Sequence, residues 1–66
     1  MKTLGIDPGT AITGYGVLDS RDGVVKVIDY GCVRTSSKDP SDKRLAKIYS
    51  DIRKIISRHK PKHVAI

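Results

Sequence analysis

Asp7 is the residue in this chain whose type and setting could do chemistry. It ends the short apolar run Leu4-Gly5-Ile6 and precedes Pro8-Gly9-Thr10. Four of the six glycines (Gly5, Gly9, Gly14 and Gly16) fall in the first sixteen residues, so the backbone around this carboxylate is bare. A carboxylate with open backbone beside it suits a hard divalent cation that must meet a bulky phosphate. The same segment also fits an ordinary hairpin whose Asp7 caps a turn. Spacing alone leaves both readings open.

Other polar residues offer less. Thr10 and Thr13 could donate to a phosphate, or could satisfy local backbone. Pro8 fixes a turn, and Gly9 is free to take a positive φ there. Lys43, Lys47, Lys54 and Arg58 share one helical stripe, which could touch DNA but is also what any solvated helix face carries. His59 and His63 have the spacing of a helical metal pair, yet Pro61 between them breaks that helix. Asp19, Asp22, Asp39 and Asp42 fall at turn or capping positions. Cys32 lies inside a strand and reads as a small buried hydrophobe.

The elements that must position Asp7 follow from periodicity. Thr3 to Asp7 is a strand with Leu4 and Ile6 on one face and Thr3, Gly5 and Asp7 on the other. Ala11 to Asp19 is a second strand. Arg21-Asp22-Gly23 is a hairpin turn, since Asp-Gly tolerates the required backbone. Val24 to Thr35, rich in valine and isoleucine, is a third strand. Asp39 reads as a helix N-cap with Pro40 at the first helical position and Asp42 in the first turn. Leu45, Ile48, Tyr49, Ile52, Ile55 and Ile56 then form one apolar stripe. Lys60-Pro61 stops the helix, and Lys62 to Ile66 begins a fourth strand parallel to another strand of the sheet.

Sixty-six residues, 38% apolar and without Trp or Phe, support at most one small domain with a thin core. Its stability is expected to be marginal, with Leu4, Ile6 or their opposite-face neighbours partly wet. The fourth strand, with Val64, Ala65 and Ile66, is expected to present an edge that invites pairing. The net charge of +6 favours polyanionic partners. The single cysteine excludes an intramolecular disulfide and fits a reducing, cytoplasmic setting. No segment reads as a signal peptide or membrane span.

Gly5-Ile6-Asp7-Pro8-Gly9, followed by Thr13-Gly14-Tyr15-Gly16-Val17, resembles the start of RuvC-type Holliday junction resolvases. Gly31-Cys32-Val33-Arg34-Thr35 is similar to that family's third strand. Pro61 to Ile66 is similar to the approach to its fourth. The resemblance covers the whole chain. It implies an α/β, ribonuclease H-like fold, of which residues 1–66 would be the N-terminal half: a three-stranded antiparallel meander, a helix and the start of a parallel fourth strand. It implies a structure-selective endonuclease that resolves four-way DNA junctions by two-metal hydrolysis, with Asp7 both catalytic and metal-binding, Mg2+ as cofactor and Mn2+ as a substitute. Its implied partners are four-way junction DNA, a second copy in a homodimer and a branch-migration motor complex, with no membrane.

One departure from the family pattern stands out. A catalytic glutamate follows the strand that matches Val64-Ala65-Ile66 in the family, and two aspartates come from a C-terminal helix. This chain has no glutamate and reaches only Ile66. The domain is therefore expected to stop before its second catalytic carboxylate, and the piece alone to be inactive. Two other readings stay open. An ATP-binding kinase or chaperone fragment of the actin-like superfamily carries a related Asp-x-Gly-Thr hairpin. A non-enzymatic interaction module is the third.

Overall fold

The computed structural model describes residues 1–9, 11–36 and 38–66. Four strands and one helix follow in the order β1 (Lys2–Asp7), β2 (Ile12–Arg21), β3 (Val24–Arg34), α1 (Ser41–His59) and β4 (His63–Ala65). The strands form one sheet in the order β3-β2-β1-β4, antiparallel except for the β1–β4 pair. This is the expected meander, helix and parallel fourth strand. Thr10, read above as a possible phosphate donor, lies outside the described residues.

The β2–β3 turn is tighter than the three-residue reading. Arg21 belongs to β2, and Asp22 and Gly23 alone make the turn, with φ of 51° and 79°. Positive φ at both positions matches the twist of the flanking strands, and glycine adopts it without cost.

Further along β3 the pairing slips. Val17 pairs with Asp29 while Leu18 pairs with Val27, so Ile28 is an extra residue. A β-bulge of this kind exchanges the faces of everything beyond it. Continuous pairing from the turn would set Cys32 opposite Thr13, on the side that α1 covers. The bulge instead sets Cys32 opposite Gly14 and gives the buried place opposite Thr13 to Val33. Cys32 is therefore exposed, not the buried hydrophobe expected from the strand's composition.

The core is thin and lies on one face of the sheet. Leu4 and Val17, cross-strand partners, are both 0% exposed, and Ile55 of α1 closes over them. Ile6, Tyr15 and Ile52 pack around that cluster. Full burial of side chains this size stabilises by about 1.5–3 kcal/mol each. Leu4 is dry because Ile55 covers the β1–β2 seam directly, while Ile6 is half-buried and the opposite-face Asp7 exposed, within the expectation that one or another of these would be partly wet. Only part of the helical stripe is used: Leu45 is 66% and Tyr49 65% exposed. All three residues of β4 are exposed, so its edge is open as expected.

The helix begins one residue later than anticipated. Pro40 is the N-cap, with φ −56° and ψ 148°, and no side chain caps the first turn. That extended ψ keeps Pro40 out of the helix and leaves Asp39 one position too early to cap it. Asp42 sits in the first turn as expected. At the other end Lys60 is left-handed and its N–H donates to the Ile56 carbonyl at 2.7 Å. Pro61 follows, and Lys62 N–H donates to the Lys2 carbonyl at 2.9 Å, which starts the parallel β1–β4 pairing.

Two aspartates tie the ends of the fold together. His59 Nε2 lies 2.9 Å from Asp29 Oδ2, joining the last turn of α1 to β3. That contact, then the Tyr30 N–H and nearby Arg58, holds the Asp29 carboxyl below its ordinary value. Asp19, assigned above to a turn or cap, lies instead within β2. It receives the N-terminal amine at 3.0 Å and Arg21 Nε at 3.0 Å, and these partners lower its pKa.

Two glycines are required by packing. A Cβ at Gly9 would collide with the Ile12 carbonyl across the β1–β2 turn. At Gly31 it would come within 2.8 Å of Tyr15 Oη. Gly9 does not use the positive φ expected of it: Gly23 alone among the described glycines has one. Its need is for space. By contrast, a Cβ at Gly16 meets nothing within 4 Å, and at Gly5 or Gly14 it meets only ordinary contacts at 3.9 Å.

Gly9→Ala is expected to cost about 1–3 kcal/mol in urea denaturation, as overpacking does. Gly16→Ala is expected to stay within about 0.5 kcal/mol. Equal costs would contradict this account of the turn. The acid limb supplies a second expectation. The folded pKa values of Asp19 and Asp29 lie below the ordinary 3.8, so their contribution is complete above that value and lost as pH falls through the folded values. His59→Gln should remove part of this acid-dependent loss, read from urea midpoints between roughly pH 5 and 2.

Candidate functional site

Asp7 is the last residue of β1, one of the two inner strands. Its position alternates with Leu4 and Ile6, so it belongs to the face that α1 does not cover. It is exposed. Across the sheet its row runs Asp7, Gly14, Cys32. The next row toward the sheet's middle runs Ala65, Gly5, Gly16, Tyr30. The glycines leave this face without side chains beside the carboxylate. An open concavity of about 540 Å³ results, lined by Gly5, Asp7, Gly14, Gly16 and Ala65 among others.

Bareness here is not a demand of the fold. Gly5, Gly14 and Gly16 would each accept a methyl without a clash inside this chain. Among the described residues nothing fills the space at these positions. A rigid backbone-lined floor with one projecting carboxylate can receive a large polyanion only if a cation mediates or other basic groups steer it.

The remaining candidates do not converge on Asp7. Thr13 is buried on the α1 side, facing away from the carboxylate. Asp19, Asp22, Asp29, Asp39 and Asp42 lie at the β2–β3 arm, under α1 or at its start. His59 is engaged by Asp29, and His63 stands in β4, so the two histidines do not form a pair. Among the described residues no three His, Cys, Asp or Glu side chains gather. Asp7 thus supplies one ligand toward a divalent cation and not a cage. Mg2+ demands near-octahedral oxygen ligation and dehydrates reluctantly, so the described residues by themselves do not fit a resident ion.

Sequence reasoning did not anticipate the Asp29–His59 contact. Thirty residues separate the partners, and the bulge that turns Asp29 toward α1 leaves no local signature. The only hint is an aspartate in a strand of valine and isoleucine, where aspartate is depleted. Of the basic helical stripe, Lys47 donates from Nζ to the Arg34 carbonyl at 3.0 Å, while Lys43, Lys54 and Arg58 are exposed.

Comparison with known proteins places this geometry. Residues 3–66 match the family model for the crossover junction endodeoxyribonuclease RuvC. A protein of that name from Gloeobacter violaceus is 55% identical over 67 residues, covering 100% of this chain and 39% of the relative. The Moorella thermoacetica protein is 46% identical, covering 100% of this chain and 40% of its own length. The chain thus spans about 40% of the length of these curated relatives. The structure of Thermus thermophilus RuvC superposes with a TM-score of 0.87 at 28% identity, over 97% of this chain and 43% of that one. The fold is accordingly ribonuclease H-like, as the meander, helix and parallel strand anticipate. With a family match over nearly all of its residues, the chain belongs to the RuvC family of crossover junction endodeoxyribonucleases.

Proposed function

We propose that this chain is the N-terminal part of a structure-selective DNA endonuclease that resolves four-way junctions in recombination and repair. One observation carries the reading. Asp7 is an exposed carboxylate at the end of an inner strand, above a glycine floor that the fold itself does not require. It sits inside a segment that matches the family model from residue 3 to residue 66. The relatives' name, crossover junction endodeoxyribonuclease, supplies the substrate class.

The reaction is hydrolysis of a phosphodiester. Mg2+, or Mn2+ in its place, would supply the charge that activates water and stabilises the leaving oxygen, with Asp7 among its ligands. The other ligands belong to the part of the protein that the relatives have beyond the matched segment. On this reading residues 1–66 are a partial nuclease domain ending before its second carboxylate. Within this segment the role of the residues is positional. β1 fixes Asp7 by six cross-strand pairs to β2, from Lys2–Asp19 to Asp7–Gly14, and Gly9 lets the turn close behind it.

Two symmetric nicks on a two-fold junction require two sites related by a two-fold axis, so a homodimer is the working form. A branch-migration motor is the further protein partner, and the setting is cytoplasmic. The net charge of +6 suits a DNA substrate. Among the described residues no helix is long and apolar enough to cross a membrane.

The test of Asp7 is a chimera joining this chain to the remainder of the Gloeobacter violaceus relative. Asp7→Asn in that chimera is expected to reduce nicking of a synthetic four-way junction in Mg2+ to background. Gel-shift affinity for the junction should change little, because the amide keeps the shape and loses only the charge. Nicking near the unsubstituted rate would refute the assignment. The 66-residue chain alone is expected to nick no junction in Mg2+ or Mn2+. Symmetric nicking that co-purifies with it would show that one carboxylate suffices.

A further inference from the structure

The Asp29–His59 contact sits where packing alone would prefer something else. Continuous pairing past Leu18–Val27 would set Ile28 opposite Val17, on the side that α1 covers. An isoleucine there would extend the apolar seam of Leu4, Val17 and Ile55. The bulge instead leaves Ile28 41% exposed and gives the covered place to Asp29. A carboxylate contributes less to such a seam than the isoleucine it displaces. What it adds is direction. Val64, Leu4, Val17 and Asp29 form one row across the sheet. Ile55 closes over the middle of that row. His59, four residues on and so on the same helical face, meets the row's β3 end, Nε2 to Oδ2 2.9 Å. Apolar contact is non-directional and tolerates a helix sliding along a sheet. A charge-assisted hydrogen bond holds one pair of atoms at one distance. The Asp29 carboxylate is charged at neutral pH, since His59, the Tyr30 N–H and Arg58 all favour the anion. Among the described residues no other side-chain hydrogen bond joins the C-terminal half of α1 to the sheet.

The position of His59 passes directly to β4. Only Lys60, Pro61 and Lys62 separate the two. Three residues span at most about 11 Å, and Pro61 fixes its own φ. Both N–H groups of this connection are committed, Lys60 to the Ile56 carbonyl at 2.7 Å and Lys62 to the Lys2 carbonyl at 2.9 Å. The connection therefore has no slack, and the end of α1 sets which residue of β1 is met first. The register that results is Thr3–His63, Leu4–Val64 and Gly5–Ala65. A slip of one residue in either direction would put Val64 or Ile66 beside Gly5. A larger side chain would then replace the Ala65 methyl in the concavity of Asp7.

We propose that Asp29 and His59 are a register pin: their bond fixes α1 along the sheet and thereby holds β4 with Ala65 beside Gly5, next to Asp7. Both are positioning residues, acting through the helix and the short connection. This is a use of a polar pair for registry more than for stability. That the concavity is a reaction site rests on the nuclease reading; the pin itself does not.

The test uses the chimera with the remainder of the Gloeobacter violaceus relative and reads amide hydrogen exchange by mass spectrometry in EDTA. His59→Leu should speed exchange over residues 60–66 several-fold and leave the β1–β2 amides unchanged. Asp29→Leu combined with His59→Leu gives α1 an apolar contact in place of the bond. It should recover the thermal midpoint of the unsubstituted chimera while exchange over residues 60–66 stays fast. Should His59→Leu fail to fold, Asp29→Asn, which keeps the shape and loses the charge, carries the same expectation. Restored β4 protection in the apolar double variant, equal acceleration of β1–β2 and β4, or no acceleration in either single variant would overturn the pin. In Mg2+ the single variant should nick a synthetic four-way junction several-fold more slowly at unchanged gel-shift affinity. Unslowed nicking by a chimera whose β4 exchanges fast would overturn the pin's service to the site. A chimera that cleaves normally as Asp7→Asn would refute the nuclease reading and leave the exchange result to decide the pin.

Discussion

The contact of Leu4 and Val17 with Ile55 is what the rest of the chain depends on. These three side chains join the first strand, the second strand and the helix at one point. Without that point α1 has little hold on the sheet, since Leu45 and Tyr49 stand largely in water. The contact also decides polarity. Once Leu4 faces α1, the two-residue period of the strand sends Gly5 and Asp7 to the other side. A hydrophobic seam thereby determines where the carboxylate points. The chemistry of the open face follows from the packing of the closed one.

This division of labour explains a contrast among the glycines. Gly9 and Gly31 are small because a neighbour in the chain leaves no room. Gly5, Gly14 and Gly16 are small with room to spare. The first pair belongs to folding. The second group has no internal reason and lies together beside Asp7. Where a residue choice is unexplained by the fold and coincides with a candidate site, function is the better account.

Much of this was legible in the sequence. The period of β1 gave the face of Asp7, the valine-rich run gave β3, and Asp22-Gly23 gave the hairpin. The apolar stripe and Pro61 gave the extent of α1 within a residue or two. The differences share a cause. Neighbours in sequence do not report the surroundings of Cys32 and Asp19, nor the role of Asp29, because these are set by partners on other strands, at the chain's start and on the helix. Cys32 and Asp29 change faces because of the bulge at Ile28. Asp19 is claimed by the N-terminal amine. Periodicity assumes an unbroken ladder, and no rule of local composition reports where a ladder slips. The site itself was legible only in part. Asp7 stood out by its glycines, whereas the Lys47 contact with the Arg34 carbonyl required β3 and α1 to be brought together.

The bulge has a consequence for how this segment can change over generations. A strand without irregularities tolerates the loss of a residue at its hairpin end, because the turn absorbs it. Here the loss of Ile28 would also be absorbed, because the ladder would close with every later pair unchanged: Asp29 opposite Val17, Cys32 opposite Gly14 and Val33 opposite Thr13. Straightening the ladder with Ile28 retained would do the opposite. Cys32 would then enter the covered side, Val33 would emerge beside Asp7's row, and Arg34 would leave the open face. Variation in length is accommodated at the Asp22-Gly23 tip and at the bulge, and the count from Asp29 to Arg34 is the interval that must be kept.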